Sequence, residues 1–123
     1  MFRDTRAYSG FSVDDVEKVR PFYADTLGVD ARVNHGMLEL HFGETVILVY
    51  PKGPAHEPAT FTVLNFQVPD VERAVDELSA KGVRFERYAG FPQDEKGIMR
   101  GQGPDIAWFK DPAGNVLSVL RPG

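Results

Sequence analysis

The chain contains no cysteine. Disulfides, thiolate metal sites and a cysteine nucleophile are thereby excluded. Long apolar runs are missing as well. No stretch approaches the ~20 residues that span a bilayer, so no membrane partner is expected. The opening "MFRDTRAYSG" lacks the apolar segment of a signal peptide, which makes the cytoplasm the expected location. An excess of positive charge is also absent: 14 Lys and Arg stand against 18 Asp and Glu, for a formal net charge of −4. Nucleic acid is not an expected partner, because its binding needs a basic stripe that displaces counterions. What is present is a chain of 123 residues, a single-domain length. A chain of that size buries roughly two thirds of its unfolded surface, enough for a real core.

The chain repeats itself. "FSVDDVEKV" (Phe11 to Val19) returns as "FQVPDVERAV" (Phe66 to Val75). At one constant offset Phe11 matches Phe66, Val13 matches Val68, Asp15 matches Asp70, Val16 matches Val71 and Glu17 matches Glu72. In the first copy, "AYSGFSV" (Ala7 to Val13) alternates and reads as a strand. Asp14 or Asp15 can cap a following helix. Val16, Val19, Tyr23 and Leu27 share one face of that helix, and Gly28 ends it. Pro21 predicts a kink or a broken turn, since its missing N–H and its ring cost ~3 kcal/mol or more inside a helix. In the second copy, "FTVLNFQV" (Phe61 to Val68) is a strand. Asp70 caps a helix through Val71, Ala74, Val75 and Leu78, and Gly82 ends it.

Strand-like segments follow each helix. After the first come "ARVNH", "MLELHF" and "TVILVY", with turns at Gly36 and Gly43–Glu44. After the second come "VRFERY" (Val83 to Tyr88), "DIAWFK" and "VLSVL", with "DPAGN" as a strong turn before the last. Each half thus reads strand–helix–strand–strand–strand. Module 1 covers about 5–50, a proline-rich linker 51–60, and module 2 about 61–121. One half alone leaves a curved sheet with an uncovered apolar face. Two halves facing each other would enclose a hollow.

The segments "FSVDDVEKVRPFYADTLG", "FQVPDVERAVDELSAKGV" and "WFKDPAGNVLSVL" resemble the vicinal oxygen chelate superfamily, also called the glyoxalase/bleomycin-resistance/dioxygenase superfamily. The resemblance implies an α+β fold in which two tandem βαβββ modules form a cup-shaped mixed sheet within one domain. It also implies a homodimer. Metal-dependent members hold a divalent cation in the cup with histidine and carboxylate ligands, one from the first strand and one from the last strand of each module. That donor set suits a hard or borderline metal with open positions for substrate oxygens. Carried onto this chain, the four positions fall on Tyr8, Ile47, Val63 and Ser118, with Ile47 placed to within one residue. None is His, Asp, Glu or Cys. The expectation is no metal of this type and no cofactor. His35 near a turn, His41 on an internal strand and His56 in the linker read as surface or satisfied core residues, with a novel site using His41 as the alternative.

Side chains two apart on a strand share a face. If Tyr8 faces the hollow, so do Gly10 and Ser12. If Val63 does, so do Asn65 and Gln67, which otherwise serve backbone groups or a dimer contact. Trp108 and Tyr50 offer aromatic surface there, or core packing. The irregular "GFPQDEKGIMRGQGP" (Gly90 to Pro104) reads as a flap with Glu95, Met99 and Arg100 reaching in, or as a solvated crossing. Asp105 and Glu39 are the acid/base candidates, and nothing in the spacing brings Ser12 or Ser118 to a histidine. The expected partner is a small organic molecule held without metal, as in antibiotic or metabolite sequestration. The alternatives are a lyase, isomerase or dioxygenase with atypical or no metal ligands, and a dimer whose cup its own side chains fill.

Overall fold

A computed structural model describes residues 1–122, which gather into two compact units that divide between Glu57 and Pro58. The first unit holds β1 (Gly10–Val13), α1 (Val16–Pro21), β2 (Asp30–Asn34), β3 (Met37–Phe42) and β4 (Thr45–Pro51). Asp15 caps α1, its Oδ1 accepting the Glu17 N–H at 3.0 Å. The proline then acts as its chemistry dictates. The α-helix stops at Pro21, and a π-helical turn, Phe22–Thr26, carries the chain on to Gly28 in the left-handed region (φ 68°). The four strands order as β1-β4-β3-β2, with β1 parallel to β4 and the other pairs antiparallel. His35 and Gly36, both at positive φ, make the tight β2–β3 turn.

One face of this sheet is covered by α1 and its π-helical extension. Phe11, Val13, Leu38, Leu40 and Val49 are buried there with Val16, Val19 and Tyr23. The Phe11 and Tyr23 rings pack at 6.4 Å. Register and alternation put the opposite set on the uncovered face: Gly10 and Ser12 from β1, Glu39 and His41 from β3, Leu48 and Tyr50 from β4.

The second unit holds β5 (Thr62–Gln67), α2 (Val71–Ala80), β6 (Asp105–Lys110) and β7 (Val116–Arg121). Asp70 caps α2 by accepting the Arg73 N–H at 3.1 Å. The sheet orders as β5-β7-β6, again with the strand before the helix parallel to the last strand. α2 lies against β6 and β7 and buries Val71 and Val75 with Ala107, Phe109, Leu117 and Val119. No helix among the described residues is long and apolar enough to cross a membrane.

One expected strand is not formed. The backbone of "VRFERY" pairs with β6 at the Phe85–Phe109 bridge and through the Glu86 N–H, which donates to the Trp108 carbonyl at 2.8 Å. The Gln93 side chain explains why pairing goes no further. Its Oε1 accepts the Tyr88 N–H at 2.8 Å, and its Nε2 donates to the Glu86 and Gly97 carbonyls at 2.9 and 2.8 Å. A side-chain amide thus takes backbone groups that a ladder would otherwise use.

The "DPAGN" turn is a hydrogen-bonded knot. Asp111 is buried, and its Oδ1 accepts the Ala113 and Asn115 N–H groups, each at 2.9 Å. Its Oδ2 accepts from Asn115 Nδ2 at 3.2 Å. Asn115 Oδ1 in turn accepts the Ala59 N–H at 3.1 Å. Gly114 sits at φ 85°, where a Cβ would meet Pro58 carbons at 3.1 Å, so two constraints select glycine. Replacing Asp111 with Ala removes an acceptor from three buried donors. The expected loss of stability is about 3 kcal/mol, read by denaturant unfolding. A loss near zero would contradict this account of the turn.

Candidate functional site

Each unit presents a sheet face that its own helix leaves uncovered. Register places Ser12 and Tyr50 on the first of these faces and Asn65, Gln67, Trp108 and Ser118 on the second; Ile47 and Arg100 lie elsewhere and are the two exceptions taken up below. Tyr8 precedes β1 and is 72% exposed. It borders a cleft of about 860 Å³ in the first unit, together with Arg6, Glu39, Glu44, Val46 and Leu48. Ser12 and Tyr50 pair across the β1–β4 register on the same face. The Tyr50 ring lies over Gly10, where a Cβ would stand 3.7 Å from it and 3.2 Å from the Leu48 carbonyl oxygen.

Ile47 is the first exception. It pairs with Leu40, whose side chain is buried on the helix side, while Leu48 pairs with both Gly10 and Glu39. Leu48, not Ile47, therefore faces the cleft. With a period of two, a one-residue error in aligning the halves changes the face completely.

Glu39 is the polar centre of this face. Its Oε1 lies 3.0 Å from His41 Nε2, and its Oε2 accepts from Asn34 Nδ2 at 3.2 Å. The His41 contact, then the Asn34 contact, holds the carboxyl below its usual pKa against the opposing effect of desolvation. The structure also joins a pair that the spacing did not suggest: Ser12 Oγ and His56 Nδ1 lie 2.8 Å apart. This contact ties the linker histidine to the first strand. Separation along the chain hid it, since His56 lies in a turn beyond β4.

In the second unit, Asn65, Ser118 and Trp108 form one row across β5, β7 and β6. Ser118 is fully buried and donates to Asn65 Oδ1 at 2.6 Å. The next row runs Gln67, Leu120, Ile106, and Met99 bridges to Ile106 at the edge. Val63 falls at a register irregularity between Thr62 and Leu64 and is half-buried. Three rings close on one another beside Ser118. Tyr88 to Phe91, Phe91 to Trp108 and Tyr88 to Trp108 stand at 5.5, 5.5 and 5.6 Å between centroids. The sequence reading missed Tyr88 and Phe91. The signal was the aromatic residue on either side of Ala89–Gly90, obscured by assigning Tyr88 to a strand.

Arg100 is the second exception. It donates to Asp94 Oδ2 at 2.6 Å and to Glu72 Oε1 at 3.1 Å, on α2 and away from the uncovered face. Residues 93–100 are pinned, not loose. Asp94 Oδ1 accepts the Lys96 and Ile98 N–H groups at 2.9 Å each, and Ile98 is buried. Burial raises the Asp94 pKa, but those two N–H groups and Arg100 outweigh it, so the carboxyl sits below its usual value. Opposite charge on α2 draws the arginine there, as it draws Lys96 to Asp76. Glu95 contributes its carbonyl to Arg87 at 2.6 Å and is otherwise exposed.

Comparisons with known proteins bear on this geometry. The family model described as Glyoxalase/Bleomycin resistance protein/Dioxygenase superfamily matches residues 7–119. The chain belongs to this superfamily. Among solved structures it is similar to TnmS3, an antibiotic binding protein from Streptomyces sp. CB03234, at 24% identity and TM-score 0.70, covering 98% of both chains. It is also similar to a glyoxalase family protein from Enterococcus faecalis, at 19% identity and TM-score 0.71, covering 98% of this chain and 100% of that one. A glyoxalase/bleomycin resistance protein from the same Streptomyces strain is 25% identical at TM-score 0.62, covering 94% of this chain and 100% of that one. Comparison with curated proteins gave no match. The superfamily's metal does not fit the donors that this member presents. Leu48 and Val63 have none and the Ser118 hydroxyl is committed to Asn65, which leaves the phenol of Tyr8, ahead of β1. Among the described residues no three His, Asp or Glu side chains gather to hold an ion.

The Glu39 contacts make a pH prediction. A carboxyl whose folded pKa is depressed adds stability above its unfolded value, about 4.3. That contribution is lost as pH falls through the folded value. NMR titration should place the Glu39 midpoint below about 4.3 and move it upward in His41→Ala. A midpoint unmoved by that substitution would contradict the His41 contact as the leading cause.

Proposed function

We propose that this protein is a metal-free member of its superfamily that binds a small organic molecule, with sequestration of an antibiotic or metabolite as its use. The observation that carries the reading is the cleft of about 860 Å³ on the uncovered face of the first sheet. Its size is in the range of small-ligand sites, and it joins apolar Val46 and Leu48 to the polar ends of Arg6, Glu39 and Glu44. Glu39 is a fixed anion at neutral pH, which favours ligands carrying a cation or a hydrogen-bond donor. The antibiotic-binding neighbour supports the same class of ligand. The reading includes a homodimer in the cytoplasm, with Phe2, Val33, Met37 and Phe61 as exposed apolar residues available to a second copy.

Thermal shift against cationic antibiotics and aromatic metabolites tests the binding. A true ligand at a hundredfold excess over its Kd should stabilise the protein by ~2.7 kcal/mol, and mass spectrometry should recover it unchanged. Elemental analysis should find no stoichiometric metal. A ligand recovered chemically altered would replace this reading with catalysis, and a panel without a single hit would overturn binding altogether.

A further inference from the structure

Beside α2 the second unit holds a cleft that none of the chemistry above uses. It is about 410 Å³ and lies between α2, the segment 83–87 and the turn at 95–96. Its floor is apolar: Val75 is buried, and Val83 and Phe85 are half-buried. Its rim is charged. Arg84, Arg87 and Lys96 line it with Asp76 and Glu95, which leaves one positive charge in excess.

The walls are held in place before anything binds. Gln93 Nε2 donates to the Glu86 and Gly97 carbonyls at 2.9 and 2.8 Å, which joins the segment to the turn. Lys96 Nζ pairs with Asp76 at 2.9 Å, which joins the turn to α2. The Phe85 ring packs on Phe109 at 5.5 Å between centroids. Gly97 fits closely beneath it, since a Cβ there would stand 3.3 Å from the Phe85 Cβ. A cleft with fixed sides loses little conformational entropy when a ligand enters.

The three cations are not equivalent. Lys96 is neutralised by Asp76 and, at 3.7 Å, by Glu72. In the same unit Arg73 pairs with Glu77, and Arg100 pairs with Asp94 and Glu72. Arg84 and Arg87 pair with no carboxylate among the described residues. The Arg87 side chain donates to the Glu95 carbonyl at 2.6 Å, a neutral acceptor that leaves its charge unmet. A guanidinium carries several N–H donors in a planar fork, so both arginines retain donors for a ligand.

From this juxtaposition we infer that the cleft binds a small organic monocarboxylate, its carboxylate between Arg84 and Arg87 and its hydrocarbon body on Val75, Val83 and Phe85. A planar carboxylate matches the guanidinium fork. Asp76 and Glu95 repel a second negative charge, which disfavours dicarboxylates and phosphate dianions. The site is additional to the cleft of the first unit, and its occupancy does not depend on the function proposed above.

Cyclohexanecarboxylate serves as the probe, titrated into ¹⁵N-labelled protein at constant pH and ionic strength. Cyclohexanecarboxamide keeps the ring without the charge, acetate keeps the carboxylate without the ring, and inorganic phosphate is an anion with no apolar body. The probe should move the backbone amides of residues 75–87 and 95–97. It should bind at least about tenfold more tightly than each of the three controls. Arg84→Gln and Arg87→Gln should each weaken it by about threefold, and the double variant by about tenfold. Arg84→Lys, which keeps the charge but not the fork, should retain part of the affinity. Both arginines are exposed, and an unchanged spectrum away from the cleft confirms that each variant is folded. Shifts confined to other residues, or binding indifferent to both substitutions, would overturn the inference. Acetate or phosphate binding as tightly as the probe would reduce the site to general charge attraction, and the amide binding as tightly would remove the role of the arginines; either result would overturn it as well.

Discussion

The parallel pairing of β1 with β4, repeated by β5 with β7, governs the rest of the structure. A strand that must return parallel to its neighbour needs a crossover, and the helix in that crossover covers one face of the sheet. In each unit the helix is short and single, so only one face is covered. The side chains of alternate residues are thereby divided. Phe11, Leu38, Leu40 and Val49 pack under α1 and the π-helical turn, and Ala107, Phe109, Leu117 and Val119 pack under α2. Their neighbours, from Gly10 and Leu48 to Asn65 and Trp108, are released from core duty and can carry chemistry.

Side chains of the uncovered set do not pack beneath the helices, so they can differ without disturbing that packing. In this chain the set includes Leu48 in one unit and, in the other, a serine engaged with Asn65. Nearby residues of the same set provide a carboxylate held by His41 and Asn34 in one unit and a ring cluster beside an oriented amide in the other. Recognition on such faces resides in side chains, while the fold resides in the opposite alternation.

Much of this was legible in the residues. The Asp15 and Asp70 caps, the left-handed Gly28 and Gly82, the interruption at Pro21 and the bounds of β3 and β6 all follow from local stereochemistry. Those signals are short-range, so one sequence suffices. The features that escaped depend on side-chain partners that no local pattern announces. Gln93 replaced a ladder for Tyr88 and Glu86, and Glu72 drew Arg100 to the helix side. Ser12 met His56 across 44 positions, and Tyr88 and Phe91 met Trp108. The Ile47 error had a different origin. A repeat aligns two halves only to within a residue, and on a strand one residue is a whole face.

Because the chain has no cysteine, the division of faces is open to direct measurement by single-cysteine substitution and thiol labelling. Leu48→Cys and Gln67→Cys lie on the uncovered faces, while Val49→Cys and Ala107→Cys lie beneath the helices. The account predicts fast labelling of the first two under native conditions and protection of the second two until the protein unfolds. Rapid native labelling at Val49 and Ala107, with Leu48 and Gln67 protected, would contradict it.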